Sequence, residues 1–504
     1  MNTRLVALAW LLLSVGPTVR PSAAQCPDGS PPPCRSATVR ATPPLPLPPP
    51  NSVAVLYFEN LSPDTADAYL ADALTEELIN RLGRIERLVV RSRQAAQRFR
   101  ARTGDDPAAL GRALNVAYLV SGRVRHKGRQ VFVGVELVRA TTGTHLWGNN
   151  WNRSDEDLVA IEADIARDVA SAIAGRLLPA ERSAVTRRPA VDLQAYTLYL
   201  RGRFEFNRFT PAGFRSAVDY FTRAIAADSM YAPAYAGLAD AYNWLADYEP
   251  PRRLLPQMKA AALRALELDP TSAEAHVALG NIQLFFEWDP RAAEASFQRA
   301  HALAPQYAPA YWTEAVALGA LRRQEEAVEA ATRAHELDPL VYGTVLSGVL
   351  TVARRYDAAS EVARRELEID STNAMAHFDL GTAFMNRGLE AEGLAHLRRA
   401  VALSAGRTYM LASFAHWAAR TGAIEEARAA LGELTRLAAQ QWVMPTYFAE
   451  VYAGLGEIDS AFAWLERGLE DRPAAMLSLL WSVEWDPLRL DPRFPALLRR
   501  MGLQ

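Results

Sequence analysis

Residues that commonly carry chemistry are scarce in this chain. Its 504 residues include 2 cysteines and 8 histidines, and the formal net charge is −2. Cys26 and Cys34 stand together near the start with no further ligand close by, which excludes a zinc site built on spaced Cys and His pairs. The patterns HExxH, GxSxG and GxxxxGK[ST] are missing, and with them the common metalloprotease, serine-hydrolase and phosphate-loop chemistries. A balanced charge gives no reason to expect a nucleic-acid partner. After Leu13 no apolar run is long enough to span a bilayer. What is present is apolar surface: 50% of the residues are hydrophobic, enough for a large core, and the length fits two to four domains at roughly 100–200 residues each.

The first residues read as an address. Arg4, the apolar run Leu5 to Leu13 and the small residues Ser22-Ala23-Ala24 form a secretory signal with cleavage before Gln25. A buried first helix is the alternative, and Pro17 and Pro21 speak against it. Gln25 stands where a lipid-attached Cys26 would need a small residue. The expectation is an exported protein, periplasmic or secreted from a bacterial envelope, in which Cys26 and Cys34 of CPDGSPPPC pair as a disulfide. Residues 25–51 end in PPLPLPPP, a semi-rigid polyproline spacer or a ligand for a proline-binding module.

At Ser52 the pattern changes to an αβ module over 52–177. Val53 to Phe58 is a continuous apolar run suited to a buried strand, and Asp64 to Leu82 has helical spacing with Leu70, Leu74, Leu78 and Leu82 on one face. Leu88 to Val90 reads as a short strand and Pro107 to Leu114 as a short helix. Ala117 to Val124 and Val131 to Val138 form a hairpin turning at Lys127-Gly128; Leu146 to Trp151 adds a strand and Leu158 to Ile173 a closing helix. Gly122 and Gly143 are assigned to turns. Trp147 and Trp151, flanking Asn149-Asn150, line either a pocket or the core. The stretch Arg81 to Arg102 holds eight arginines against one acid, Glu86; it reads as a solvated helix face or as a contact for an anionic surface. Residues 178–192, with Pro179 and Pro189, read as a linker.

From Leu193 onward one unit repeats. Ala308 to Pro339 reads as two amphipathic helices folded together, with Ala315, Ala327 and Ala334 where they approach closely and Tyr311 and Leu318 covering the contact. The closing position recurs at Ser229, Pro270, Pro305, Pro339, Ser371, Ala405 and Pro473, and eight units fit within 193–473. Pro270 comes seven residues late, the excess being placed in the loop at Glu249-Pro250-Pro251. Residues 474–504, with WDPLRLDPRFPALLRRMGL, read as a capping segment that covers the apolar face of the last unit.

These spacings, and the run Leu380, Gly381, Phe384, Leu397 and Ala400, resemble the tetratricopeptide repeat with its 34-residue period. Segments SVAVLYFENLS, YLADALTEELINRL, YLVSGRVR and ATTGTHLW with DLVAIEADIARDVASAI resemble the amino-terminal domain of the Tol-system protein TolB and its relatives, which occur fused to repeats, cyclases, kinases and regulators. No β-propeller, cyclase, kinase or DNA-binding segment accompanies them here. The fold class expected is α+β multi-domain, a small αβ domain followed by an all-α superhelix.

Six histidines keep repeat register: His276 and His377 at the first large position, His301 and His335 after the third small one, and His396 and His416 beside signature sites. His126 and His145 fall at the hairpin turn and in the HLW signature. Catalytic or metal-ligating residues are therefore not expected, nor is a cofactor. The resemblance implies a concave wall built by the first helix of each unit, with partner-facing positions at Asp240, Asn243, Val277, Asn281, Leu284, Trp312, Val316, Phe378, Thr382, Met385, Tyr409, His416 and Glu450. The basic residues of a carboxylate clamp are missing from this set. The reading is a non-enzymatic adaptor that binds a protein or peptide in the repeat groove, the alternative being a sensor whose αβ domain takes a small ligand. Intact mass of the exported protein under non-reducing conditions is expected to match a chain starting at Gln25 and two hydrogens lighter than the dithiol; two alkylatable thiols in native protein would refute the pairing.

Overall fold

The computed structural model describes residues 48–100, 106–186, 192–404 and 406–503. The signal segment, Cys26, Cys34 and most of the Pro-rich spacer lie outside the described residues, as do 187–191 and Ala405.

One sheet organises the first domain. Strands β1 (Ser52–Val55), β2 (Glu59–Asn60), β3 (Val89–Val90), β4 (Tyr118–Lys127), β5 (Gln130–Arg139) and β6 (Thr144–Ser154) lie in the order β3-β1-β4-β5-β6, with β2 also on β4. β1 runs parallel to β3 and β4, while β4-β5 and β5-β6 are antiparallel hairpins. β1 is buried at every position because both of its faces are covered, and it is apolar after Ser52. Val53 and Val55 face the cluster of α1 (Ala68–Leu82), whereas Ala54 and Leu56 face α2 (Arg93–Arg98) and α3 (Pro107–Leu114). Helix α4 (Leu158–Ala174) packs beside α1 over Val131, Val133, Val135 and Leu137.

Three local readings change. The first strand breaks after Val55 and resumes at Glu59, although Leu56 still donates to the Val120 carbonyl at 2.8 Å. Gly122 lies inside β4, not at a turn, and is needed for clearance: a Cβ there would sit 2.5 Å from the Phe58 ring. Pro179–Thr186, read as linker, is a helix, α5, held against α1 because Arg81 Nη1 donates to the Val185 carbonyl at 2.9 Å and Arg87 grips Glu181 at 2.6 and 2.7 Å.

Eight helix pairs follow among the described residues: α6 (Leu193–Phe206) with α7 (Pro211–Ala227), α8 (Ala232–Leu245) with α9 (Pro251–Leu268), α10 (Ala273–Phe285) with α11 (Pro290–Leu303), and α12 (Ala308–Ala320) with α13 (Gln324–Leu337). Then come α14 (Pro339–Val352) with α15 (Tyr356–Ile369), α16 (Ala374–Asn386) with α17 (Glu390–Leu403), α18 (Thr408–Arg420) with α19 (Ile424–Ala438), and α20 (Pro445–Gly454) with α21 (Ile458–Asp471). The array is a tetratricopeptide-like superhelix. Its small positions exist to admit a bulky neighbour, since a Cβ on Gly280 of α10 would lie 2.4 Å from the Phe297 ring of α11. Most turns inside a pair use a left-handed residue, among them Gly388, Gly422 and Gly456 and, at φ 62° and 59°, Arg322 and Arg354. The excess residues before Pro270 enter α9 as well as its loop, making that helix 18 residues long where α11 has 14.

The αβ domain and the array share a core. Tyr196, Leu200, Tyr231 and Ala234 belong to the same apolar cluster as α1 and α4, and Leu340 of α14 joins the cluster of α2 and α3. Polar groups are buried with it. Tyr196 Oη donates to Glu162 at 2.6 Å, Arg203 pairs with Glu76, Asn207 donates to Glu76 at 2.9 Å, and Arg91 donates to the Leu337 carbonyl at 2.9 Å. Arg81, buried, meets Glu77 at 2.7 Å and Glu162 at 3.7 Å.

Burial, reinforced by the Glu77 charge, pushes the Glu162 carboxyl up to about 8, against the pull of Tyr196 and Arg81. A folded pKa raised above the ordinary 4.5 means that the folded state holds this proton more tightly than the unfolded chain. Its contribution is complete below the ordinary value and is lost as pH rises through 8. Glu162→Gln, which mimics the protonated side chain, is expected to flatten the decline of unfolding free energy between those limits, as measured by urea titration across pH; an unchanged slope would show that Glu162 is ionised in the fold.

Candidate functional site

In a stack of this kind the first helix of each pair builds the inner wall, so α8, α10, α12, α14, α16, α18 and α20 carry the candidate surface. Part of that wall is occupied by the chain itself. After α21 two 3-10 turns, Ala474–Leu480 and Val483–Leu488, precede α22 (Arg493–Arg500). The first turn packs against α10 and α21, the second against α20. Met476, Leu477, Leu479, Trp485 and Leu488 belong to one apolar cluster with Val277, Leu284 and Trp288. Arg472 fastens the return: its Nε donates to the Phe286 carbonyl at 2.7 Å, and its guanidinium lies 4.2 Å from the Trp288 ring centre. Further along, Trp417 Nε1 donates to Glu484 at 3.2 Å. The segment read as a cap for the last unit therefore also reaches the third pair, because the superhelix turns tightly enough to bring its ends together.

This closure decides the state of the expected partner-facing residues. Of the thirteen, none is exposed. Val277, Asn281, Leu284, Thr382, Met385 and His416 are buried, which corrects their assignment to an open surface. Thr382 spends its hydroxyl on its own helix, donating to the Phe378 and Asp379 carbonyls at 3.1 and 3.0 Å. His416 places Nδ1 2.9 Å from the Glu450 carbonyl, and burial lowers its pKa. Burial also holds Glu450 well above the usual carboxylate range. Asp240 is half-buried near Arg203, with burial raising its carboxyl to about 6 against the arginine's pull, and Asn243 is half-buried with Oδ1 lacking a hydrogen bond. Trp312, Val316, Phe378 and Tyr409 remain half-buried. Phe378 and Tyr409 meet edge-on at 5.5 Å, and Trp312 lies beside Leu337 and Tyr342.

The histidines at the first large position have a structural task shared with tyrosine. Tyr235 and Tyr311 donate to the Ser229 and Pro305 carbonyls at 3.3 and 3.1 Å; His276 and His377 place Nε2 3.1 and 3.2 Å from the Pro270 and Ser371 carbonyls. In each case the side chain closes the turn that enters its helix. His126 is in β4, 2.9 Å from Asp67. Among the described residues no cluster of three or more His, Cys, Asp or Glu is placed to hold a metal, and no helix is long and apolar enough to cross a membrane.

The described arginines of the stretch divide, with Arg84, Arg87, Arg98 and Arg100 exposed and others drawn into the protein. Arg81 and Arg91 are buried, Arg87 is bound to Glu181, and Arg100 makes a bidentate pair with Asp72 at 2.7 and 2.8 Å. On the open face of the sheet lies a shallow cavity of about 830 Å³ lined by Glu59, Arg123, Glu136, His145 and Asn150 among others. Trp147 and Trp151, with ring centres 6.1 Å apart, pack instead with the helix-covered core. Sequence reasoning missed Arg203, Glu76 and Arg472, whose partners lie more than a hundred residues away.

Residues 50–166 match the family model described as the second domain of HilA/YgeH-like transcriptional regulators. That stretch overlaps most of residues 52–177, the segment likened above to the TolB amino-terminal domain, a likeness these comparisons do not repeat. Among curated proteins, a putative adenylate cyclase of Rhizobium meliloti is 29% identical over 262 residues, 51% of this chain and 44% of that protein. The transcriptional regulator HilA of Salmonella typhimurium is 23% identical over 310 residues, 60% of this chain and 53% of the regulator. The chain thus spans about half the length of the curated relatives it matches. Solved structures similar to it include a thermophilic TPR protein of Thermus thermophilus, at 15% identity and TM-score 0.33 over 38% of this chain and 99% of that one. Another is a TPR protein with an unusual peptide-binding site, at 21% identity and TM-score 0.28 over 38% and 95%.

Trp485 is 2% exposed and donates to Ser478 Oγ at 3.0 Å within the returning segment. Trp485→Ala is expected to cost about 3–5 kcal/mol in denaturant unfolding, the usual loss for a buried aromatic. A midpoint equal to that of the parent would show that the segment is not packed in the folded array.

Proposed function

We propose that the protein is an exported interaction scaffold that binds a protein or peptide along the part of its inner wall left open by the returning segment. The observation that carries this reading is the run of half-buried Trp312, Val316, Phe378 and Tyr409 on one wall of a stacked helical array. Aromatic side chains that retain partial access, ringed by packed neighbours, are the type that dominates binding when a partner covers them. The thirteen expected partner-facing positions include no lysine or arginine to grip a carboxylate, so an apolar segment, helical or extended, is the expected ligand. Its relatives carry names as different as cyclase and transcriptional regulator while matching this chain over only about half their length. That difference favours a shared binding module over a shared chemistry, and supports a protein without catalysis of its own. Export remains part of the proposal on the strength of Arg4, the apolar run and Ser22-Ala23-Ala24.

A second reading, a sensor in which the αβ domain takes a small polar ligand, draws on the cavity lined by Arg123, Glu136 and Asn150. The two readings separate in one experiment. A partner captured from an envelope extract is expected to be lost by the double variant Trp312→Ala, Phe378→Ala, with helicity retained, and kept by Arg123→Ala. Capture that survives the double variant and is lost with Arg123→Ala would move the function to the αβ domain.

A further inference from the structure

We propose that β6 is a docking edge for a second copy of this chain, which pairs with its own counterpart antiparallel about a two-fold axis through Asn149. The inference is independent of what the repeat wall binds.

β6 ends the sheet and runs for 11 residues, Thr144 to Ser154, with β5 on one side and no strand on the other among the described residues. Thr144, His145, Leu146, Gly148, Asn149, Asn150 and Asn152 are exposed. Proteins usually blunt such edges with lysine, proline, shortness or a bulge; β6 lacks the first three, and its one irregularity lies near its start, where Leu146 is skipped between the partners of Leu137 and Val138. Its one permanently charged residue is Arg153, near the end.

The backbone restricts where an axis can fall. The Asn150 N–H donates to its neighbour's side chain, Asn149 Oδ1, at 2.8 Å, so it points to the free side of the strand. Strand groups alternate, and Gly148 and Asn152 therefore point the same way. A two-fold that passes through a residue pairs outward groups with outward groups, whereas one that passes between residues pairs outward with inward and makes no ladder.

The side chains choose among the residue-centred axes. About Asn149 the strand is nearly self-symmetric: Gly148 meets Asn150 of the second copy in a hydrogen-bonded pair, and Trp147 falls in register with Trp151 of the second copy, each ring staying packed with the core of its own copy. Charge agrees. Arg139 of β5 pairs with Thr144 at one end of β6, and Asp155, Glu156 and Asp157, the first two already meeting Arg129, follow its other end, so the antiparallel arrangement brings the arginine of each copy toward the acidic end of the other.

The test uses the full chain with Cys26→Ser and Cys34→Ser, so that any thiol is the one introduced. Asn149→Cys puts two sulfurs on the axis, where Cα atoms are about 4.5 Å apart, within disulfide reach. Arg153→Cys places them eight strand positions apart, roughly 27 Å. Mild oxidation is expected to give a covalent dimer of the first variant and none of the second. By sedimentation, the parent is expected to show a concentration-dependent dimer that Asn149→Lys weakens several-fold, with partial recovery in high salt, because like charges then face each other across the axis. A parent that stays monomeric with no cross-link at 149 overturns the proposal, leaving the edge to a foreign strand or to none. Equal cross-linking at 149 and 153 overturns the register and marks the association as unspecific.

Discussion

A helix pair with one apolar face outward cannot stand alone in water, and that constraint governs this molecule from Leu193 to its last described residue. Each inner pair meets it by stacking on the next, but the two ends need something else. At the front the αβ domain supplies it: Tyr196, Leu200 and Tyr231 enter the core of α1 and α4. At the back the 3-10 turns from Ala474 to Leu488 fold across the open face and continue to α10, where Arg472 ties them to the carbonyl of Phe286. Solving the end problem at the back narrows the wall on which a repeat array would otherwise bind.

The front junction is unusual in burying charge with its apolar core. Glu76, Glu77, Arg81, Glu162 and Arg203 lie among Tyr196, Tyr199 and Tyr231. A buried pair of this kind is weak evidence for stability, because desolvation offsets much of the attraction. It specifies geometry, since each carboxylate has one arrangement in which its partners reach it. That arrangement holds α6, and with it the start of the superhelix, in a defined orientation on the αβ domain.

Much of the local structure was legible. The continuous apolar run at Val53, the alternation through Val131 to Val138 and the recurring small residues opposite large ones each reflect a neighbour close in sequence or a face covered on one or both sides. Where reading failed, the missing information was distant. Gly122 looked like a turn glycine, and only the Phe58 ring against it shows that it is a clearance residue inside β4. Arg81 and Arg91 looked like members of a solvated run until Val185, Glu162 and Leu337 were brought to them.

By itself the sequence determined most of the elements: strands and helices of the first domain apart from α2 and α5, and pairs whose 34-residue rhythm follows from the packing of one helix on the next. It offered candidate inner-wall positions as well, because register within a unit is local. What the tertiary structure decided was which of those positions stay accessible. A superhelix gains a small rotation at each unit, and the sum from the third pair to the eighth, not any single spacing, brings Leu477 and Trp485 into the cluster of Val277 and Leu284. A rotation accumulated over about two hundred residues leaves no mark on the period that produces it, so the burial of Leu284 and the half-exposure of Trp312 had to come from the folded chain.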